Sequence, residues 1–417
     1  SIKIQTLKGF RDFLPQEARK RQYVVDTLEK AFESYGFEPL ETPALEYEEV
    51  LAGKYGDEGN KLMYRFTDNG GRNVALRYDQ TVPLARVVAQ YGAQLPTPFK
   101  RYQIQPVWRA ENPQKGRYRE FVQCDIDIVG TSSPLSDTEI ITCALAAVKA
   151  LGFTNLVMKI NDREVFSGIE PKYLGTLDKL EKIGKEGVVS ELVEKGMPES
   201  EAQKLLDGIL QKEPTLRLKE LFSYLEAYGL VENQDFEFNP TTVRGLDYYT
   251  GVIFELVDSK NPKLSLAGGG RYDNLIGMFA GREIPAVGIG FGFDRIIETM
   301  DERGLFPPNA ESPTPKVLVT VFNKDLALSA KGEISPLQGG QSIKVATSLR
   351  YAGINTELYS NEEEKLDKQL KYANSRAIPY VVVIGPDEEK TNKVVLKNMA
   401  SGEQETLTLE DAVKKLS

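Results

Sequence analysis

The 417-residue chain contains no histidine. That absence removes imidazole-based catalytic triads, imidazole proton shuttles and histidine metal ligands. Any chemistry must run on arginine, carboxylates, phenols, amides and an ion brought by a ligand. Only two cysteines are present, Cys124 and Cys143. They form neither a disulfide framework nor a metal-binding spacing, which points to a reduced, cytoplasmic compartment and to no protein zinc site. No apolar run is long enough to cross a bilayer; the best, Ile140 to Phe153, is interrupted by Lys149. The opening Ser1-Ile2-Lys3-Ile4 lacks the charged-then-apolar shape of a secretory signal. Internal repeats and low-complexity tracts are missing as well. The net charge of −9 argues against a protein that coats nucleic acid non-specifically, while leaving room for a local basic surface.

What is present predicts two or three domains. Pro15 to Tyr35 carries Val24, Leu28, Ala31, Phe32 and Tyr35 on one helical face and stops at Gly36. Thr81 to Tyr91 predicts a second helix, with Thr81 as its cap, Pro83 in the first turn and Gly92 as its stop. Phe99 to Arg109 and Arg119 to Gly130 predict strands flanking a loop. Alternate residues of a strand share a face. One face therefore collects Arg101, Gln103, Gln105 and Arg109 from the first strand, and Phe121, Gln123, Asp125 and Asp127 from the second. Fixed-geometry groups on adjacent strands predict a pocket floor. The Leu-, Glu- and Lys-rich stretch from Pro171 to Gly229 predicts a helical insertion, with stops at Gly184, Gly196 and Gly229. Ala286 to Phe291 predicts a strand running into a helix from Phe293 to Glu298. Asn309 to Pro315 predicts a linker. Beyond it, strands at Val317–Phe322, Asn355–Leu358, Tyr380–Ile384 and Val394–Leu396 alternate with helices at Ser342–Tyr351 and Lys365–Arg376, an α/β domain of its own. From Lys316 onward, fourteen basic residues balance fourteen acidic ones, so that domain has no polybasic clamp.

Two loops concentrate the chemistry. Arg244-Gly245-Leu246-Asp247-Tyr248-Tyr249-Thr250-Gly251 packs a cation, a carboxylate, two phenols and two glycines into eight residues. Gly268-Gly269-Gly270-Arg271-Tyr272-Asp273 repeats the same ingredients. A small polar substrate with an anionic partner needs such a mixture: arginine for phosphate or carboxylate, phenols to donate and accept, glycines for close backbone approach.

These segments resemble class II aminoacyl-tRNA synthetases, and within them the histidyl-tRNA synthetase family, over essentially the full length. Arg109-Ala110-Glu111 with Arg119-Glu120-Phe121 resembles the second class II motif. Gly290 to Arg295 resembles the third, and Phe37 to Pro43 the first, the dimer motif. The two loops resemble the family's histidine-specific peptides. The resemblance implies an α+β fold: a class II catalytic domain (residues 1–165 and 236–308) whose antiparallel sheet is flanked by helices. It further implies a helical insertion (166–235), a linker (309–315) and an anticodon-binding-like α/β domain (316–417).

The resemblance also implies the activity: ATP, with Mg2+ carried mainly by the nucleotide, activates histidine, which is then passed to tRNA(His) by a homodimer not attached to a membrane. Arg109 and Arg244 would grip the α-phosphate and Arg295 the triphosphate tail. Glu111 and Phe121 would read the adenine. Asp79, Thr81 and Gln123 would hold the amino-acid backbone, Asp127, Tyr249 and Tyr272 would meet the imidazole, and Arg244 would also contact histidine. Gln114, Lys115 and Arg117, in the loop between the two strands, would reach the tRNA acceptor end. Asp79 and Asp127 stand where many bacterial members carry Glu, and Val122 where aromatic residues or His are frequent. The other reading within this resemblance is a catalytically silent paralogue, a regulatory subunit of histidine biosynthesis or a tRNA sensor. Retention of both loops, the arginines and the C-terminal domain favours the active ligase.

Overall fold

The structure is a computed structural model that describes residues 2–52, 62–113, 116–243, 248–311, 315–321, 341–361, 363–385, 388 and 391–417. The chain divides into two compact units, Ser1–Phe306 and Pro307–Ser417.

In the first unit the strands are, in chain order, β1 Glu38–Pro39, β2 Leu45–Tyr47, β3 Arg65–Thr67, β4 Asn73–Leu76, β5 Phe99–Trp108, β6 Glu120–Val129, β7 Leu156–Asp162, β8 Phe236–Phe238, β9 Val252–Asp258, β10 Asn261–Arg271 and β11 Ala286–Phe291. Eight of them form one sheet in the order β1-β5-β6-β11-β10-β9-β7-β8. Its six central strands are antiparallel, while β1 joins β5 and β8 joins β7 in parallel. β2, β4 and β3 make a small separate sheet.

Burial follows the alternation of the strands. Tyr102, Cys124, Ile126 and Ile128 face a core that also takes Val24, Leu28 and Phe32 of the helix Pro15–Ser34 and the apolar residues of the helix Pro134–Ala150. Each fully buried Leu, Phe or Ile contributes about 1.5–3 kcal/mol, so the sheet is pinned by its apolar face and offers the other face for function.

The segment expected to be a helical insertion holds the helices Pro171–Leu177, Leu180–Glu194, Glu199–Leu210 and Leu216–Ala227. Gly184, expected as a stop, instead takes φ +72° as a kink within the second of these. The last helix buries Leu218, Leu221, Phe222 and Leu225 in the same core as the central sheet.

The second unit contains β12 Val317–Val319, β13 Thr356–Leu358, β14 Tyr380–Val383, β15 Lys393–Asn398 and β16 Gln404–Thr408, ordered β13-β12-β14-β15-β16. The helices Gln341–Tyr351, Leu366–Ser375 and Leu409–Leu416 accompany them. The sequence pattern does not announce β16 or the last helix: β16 has a single apolar residue, Leu407, and lies at an edge. The expected linker begins inside a short helix, Pro308–Glu311, since Pro308 opens a helical turn as readily as it breaks one. Residues 312–314 of that linker lie outside the described residues.

Candidate active site

The polar face of the central sheet is a grid fixed by strand register. Arg101 of β5 pairs with Asp127 of β6, and Asp127 with Gly288 of β11. Gly288 pairs with Gly270 of β10. The next row runs Gln103, Asp125, Gly290, Gly268. The following one places Gln105 beside Gln123. Phe121 sits one further step along β6, with the Arg109 guanidinium 4.9 Å from its ring centroid. From Asp127 to Phe121 the strand advances roughly 20 Å, so the site is elongated, polar at one end and aromatic at the other.

The glycines make this floor possible. A Cβ on Gly288 would collide with the Asp127 carboxylate, and one on Gly290 would lie 2.8 Å from Asp125 Oδ1. A Cβ on Gly270 would meet the Tyr249 ring at 2.9 Å. Bare backbone on β10 and β11 therefore lets two carboxylates and a phenol lie across the sheet.

At the polar end Asp127 is buried between Arg101, at 2.7 Å, and the hydroxyl of Tyr272, which donates to Oδ1. The Arg101 contact is close but not aligned as a hydrogen bond, since Arg101 Nη2 and Asp127 Oδ2 have no hydrogen-bond partner. Burial raises the Asp127 pKa, opposed by Arg101 and by the phenol. Burial, followed by the Asp127 charge, raises the Tyr272 phenol well above its ordinary value. Tyr248 stands edge-on to Tyr272 at 5.9 Å and tilted to Tyr249 at 4.6 Å between centroids, its hydroxyl 3.4 Å from that of Tyr249. Asp127, Tyr272 and Tyr249 are thus brought to one place.

Gln123 donates to Asp125 Oδ2 at 2.6 Å. Gln80 ties the floor to the helix Thr81–Tyr91 by donating to the carbonyls of Gln105 and Gln123, both at 3.0 Å. Thr81 is not the cap of that helix. It is the first helical residue, buried, and Gln80 occupies the cap position without a side-chain cap bond. The Asp79 carboxylate accepts from Val82 N at 3.4 Å instead. The glutamine amide is held by the sheet, and the acid two residues before the helix reaches its first turn.

At the aromatic end Arg109 Nε donates to the Tyr78 carbonyl at 3.1 Å. The Glu111 carbonyl accepts from Arg119 Nε at 2.9 Å, which fixes the start of the loop between β5 and β6. Arg117 is exposed on that loop. Arg295 lies in the first turn of the helix Phe293–Arg303 and donates to the Ser265 carbonyl at 2.6 Å. Arg244, Gln114 and Lys115 lie outside the described residues.

The second glycine-rich loop divides its labour differently from the first. Arg271 is buried away from the floor, bonded to Asp137 at 2.5 Å and to the carbonyls of Thr131 and Ser133. Asp273 accepts from Thr250 Oγ1 at 3.0 Å and from Ala286 N at 3.1 Å. Arg271 anchors its loop to the start of the helix Pro134–Ala150, Asp273 ties that loop to the first through Thr250, and Tyr272 between them faces the site. Arg101 and Asp125 lie on the floor that strand parity predicts, but no motif in the sequence singles them out. The i, i+2 repetition of Arg101/Gln103, Asp125/Asp127 and Gly288/Gly290 is the signal that unites them.

Residues 9–183 and 186–296 match the histidyl-tRNA synthetase family, and residues 316–417 match the anticodon binding domain family. The chain belongs to the histidyl-tRNA synthetase family. A histidine–tRNA ligase of Cytophaga hutchinsonii is 41% identical, the alignment covering 98% of each chain. The crystal structure of a histidyl-tRNA synthetase from Nostoc is 30% identical, with a TM-score of 0.82, and covers 100% of this chain and 99% of that one. A Bacillus halodurans structure described as an ATP phosphoribosyltransferase regulatory subunit/histidyl-tRNA synthetase is 21% identical with a TM-score of 0.69, which shows a shared fold alone. As a member of the histidyl-tRNA synthetase family the chain is an ATP-dependent aminoacyl-tRNA ligase with a C-terminal anticodon-binding domain.

Proposed function

We infer that the protein is the histidine–tRNA ligase of its source: it joins histidine to ATP as histidyl-adenylate, releases pyrophosphate, and passes histidine to the 3′ end of tRNA(His). The observation that carries this reading is the buried cluster of Asp127, Tyr272 and Arg101 at one end of a glycine floor whose other end bears Arg109 over Phe121. A ring with two nitrogens suits the first end, and a purine with phosphates suits the second.

The attacking group in activation is the amino-acid carboxylate, already an anion, so no general base is required and a histidine-free chain suffices. The transition state needs alignment and positive charge around the α-phosphate. Arg109 and Arg244 supply that charge, and Arg295, at a helix N-terminus that itself favours anions, holds the tail. Phe121 stacks on the adenine and Glu111 accepts its hydrogen bonds. Asp79, Thr81 and Gln123 hold the α-amino end of histidine. Asp127, Tyr249 and Tyr272 meet the ring, rejecting apolar side chains because buried polar groups would be left unpaired. The groups assigned to the phosphates are arginines, Arg109, Arg244 and Arg295, which fit phosphate oxygens rather than a cation. Mg2+, when bound, would be held chiefly by the triphosphate and would screen its charge. Gln114, Lys115 and Arg117 engage the acceptor end, and residues 316–417 read the anticodon.

We assign residues 1–165 and 236–308 to the catalytic domain and 166–235 to the insertion. A homodimer is expected from the first class II motif. A cytoplasmic setting agrees with two buried, unpaired cysteines. Among the described residues no helix is long and apolar enough to span a membrane.

Pyrophosphate exchange with each amino acid in turn tests the assignment. Histidine alone should support it. Exchange with none would favour the silent paralogue, and exchange with another amino acid would end the histidine reading. Arg244→Ala should keep the fold and ATP binding while lowering exchange by about 100-fold or more; an unchanged rate would remove its catalytic role.

A further inference from the structure

At the polar end of the floor Asp125 and Asp127 share one described cation, Arg101, and only Asp127 is ion-paired with it. Asp127 has Arg101 at 2.7 Å. Asp125, one row along β6, is buried as deeply, yet it receives only the neutral amide of Gln123 on Oδ2, and its Oδ1 has no hydrogen-bond partner. Buried polar atoms are almost always paired, so a cluster of unpaired ones marks a place prepared for a ligand. Arg101 Nε, Gln123 Oε1 and Asp125 Oδ1 are all unpaired on this face.

The groups facing Asp125 are Arg101 and Gln103 from β5, Gln123 and Asp127 from its own strand, and Asp79 from the segment before the helix Thr81–Tyr91. Tyr272 stands over Asp127. β11 contributes backbone alone at Gly288 and Gly290. Burial, with the charges of Asp127 and Asp79, pushes Asp125 up to about 7 against the opposing effects of Arg101 and of the Gln123 hydrogen bond.

Charge accounting over the occupied site then points to the ligand. On the ligase reading histidine's carboxylate would meet Arg109 and Arg244 and its α-ammonium Asp79, while Arg101 balances Asp127. One acid, Asp125, and one ligand group able to take a positive charge, the imidazole, remain. Resting on the ligase reading above, we propose that Asp125 is a further histidine-binding residue and that the ring is held doubly protonated, as imidazolium. One ring N–H goes to the Asp127–Tyr272 pair and the other to Asp125. The additional proton comes from solvent or from the Asp125 carboxyl itself, so no group is oxidised or reduced. Specificity follows directly: a neutral five-membered ring of the same shape lacks the second N–H and leaves Asp125 unpaired.

Histidine labelled with 15N in the ring, bound to the full-length wild-type protein at about pH 8, provides the test. The free ring, with its ordinary pKa of about 6.5, is neutral there. The bound ring should give the nitrogen shifts of two N–H groups; a single N–H would overturn the proposal. Asp125→Asn should return the bound ring to one N–H and raise the KM for histidine about tenfold or more, leaving the KM for ATP unchanged. It should also narrow the preference for histidine over triazolylalanine, whose ring is not basic. If the substitution raised both KM values together and left that preference intact, Asp125 would merely support Gln123 and the proposal would fall. Should the variant not fold, as judged by thermal unfolding, the wild-type spectrum still decides. Absence of histidine binding and of histidine-dependent exchange would defeat the ligase reading and this inference together, whereas exchange with a singly protonated ring defeats the inference alone.

Discussion

At the scale of single residues, the polar end of the floor is costly to build without a ligand. Burial, with the neighbouring acids, pushes Asp125 up to about 7 in the folded protein against an ordinary value of 3.8. Between those values the folded state retains a proton that the unfolded chain has released, so stability falls as pH rises through the window. The full penalty, ~4 kcal/mol in order of magnitude, is present above about pH 7 and absent below about pH 4. Asp125→Asn removes the titration. Urea unfolding of the ligand-free proteins should therefore show the variant gaining on wild type between about pH 5 and about pH 8; a difference that does not move with pH would contradict this account. Arg101 shows the opposite economy. It is fully buried against Asp127, and Arg101→Met should destabilise the fold by about 3–5 kcal/mol because an uncompensated acid is left behind. Thermal unfolding measures that loss, and a near-neutral effect would mean Asp127 is already protonated in the ligand-free protein.

At the scale of elements, β10 and β11 act through what they lack. Their facing glycines carry no side chains, so the neighbouring strand can lay Asp125 and Asp127 across them. Gly288→Ala places a methyl group against the Asp127 carboxylate. It should weaken histidine binding by about 1–3 kcal/mol, the usual cost of overpacking. The KM for ATP should stay near wild type, because Phe121 and Arg109 lie at the far end. Steady-state exchange kinetics with each substrate varied would reveal the split, and equal effects on both would mean the strand itself had moved. The two loops are elements of the same kind: Thr250, Asp273 and Arg271 tie them together, and the phenols between those ties reach the pocket.

At the scale of the whole molecule, two units have separate hydrophobic cores. That of the second gathers Val317, Val345, Leu349, Val382, Val394 and Leu416 among others. Expressed alone, residues 307–417 should unfold cooperatively. Residues 1–306 should keep histidine-dependent pyrophosphate exchange while losing aminoacylation of tRNA. Loss of both activities with a folded catalytic unit would show that activation itself depends on the C-terminal unit.

The sequence by itself determined the class of chemistry and the cast. A chain without histidine and with almost no cysteine must work through placed positive charge, and the two dense loops, the arginines and the alternation of β5 and β6 named most of the floor. Local pattern carries that information, because side-chain direction in a strand depends on parity alone. It could not reveal that Gln80 rather than Thr81 occupies the helix cap position, that Arg271 is a buried clamp while Arg101 serves the pocket, or that Asp125 stands unpaired. Those facts depend on register between strands more than a hundred residues apart and on which charges are buried together. Tertiary structure decides them, because the cost of a buried charge is fixed by its neighbours in space and not by its neighbours in the chain.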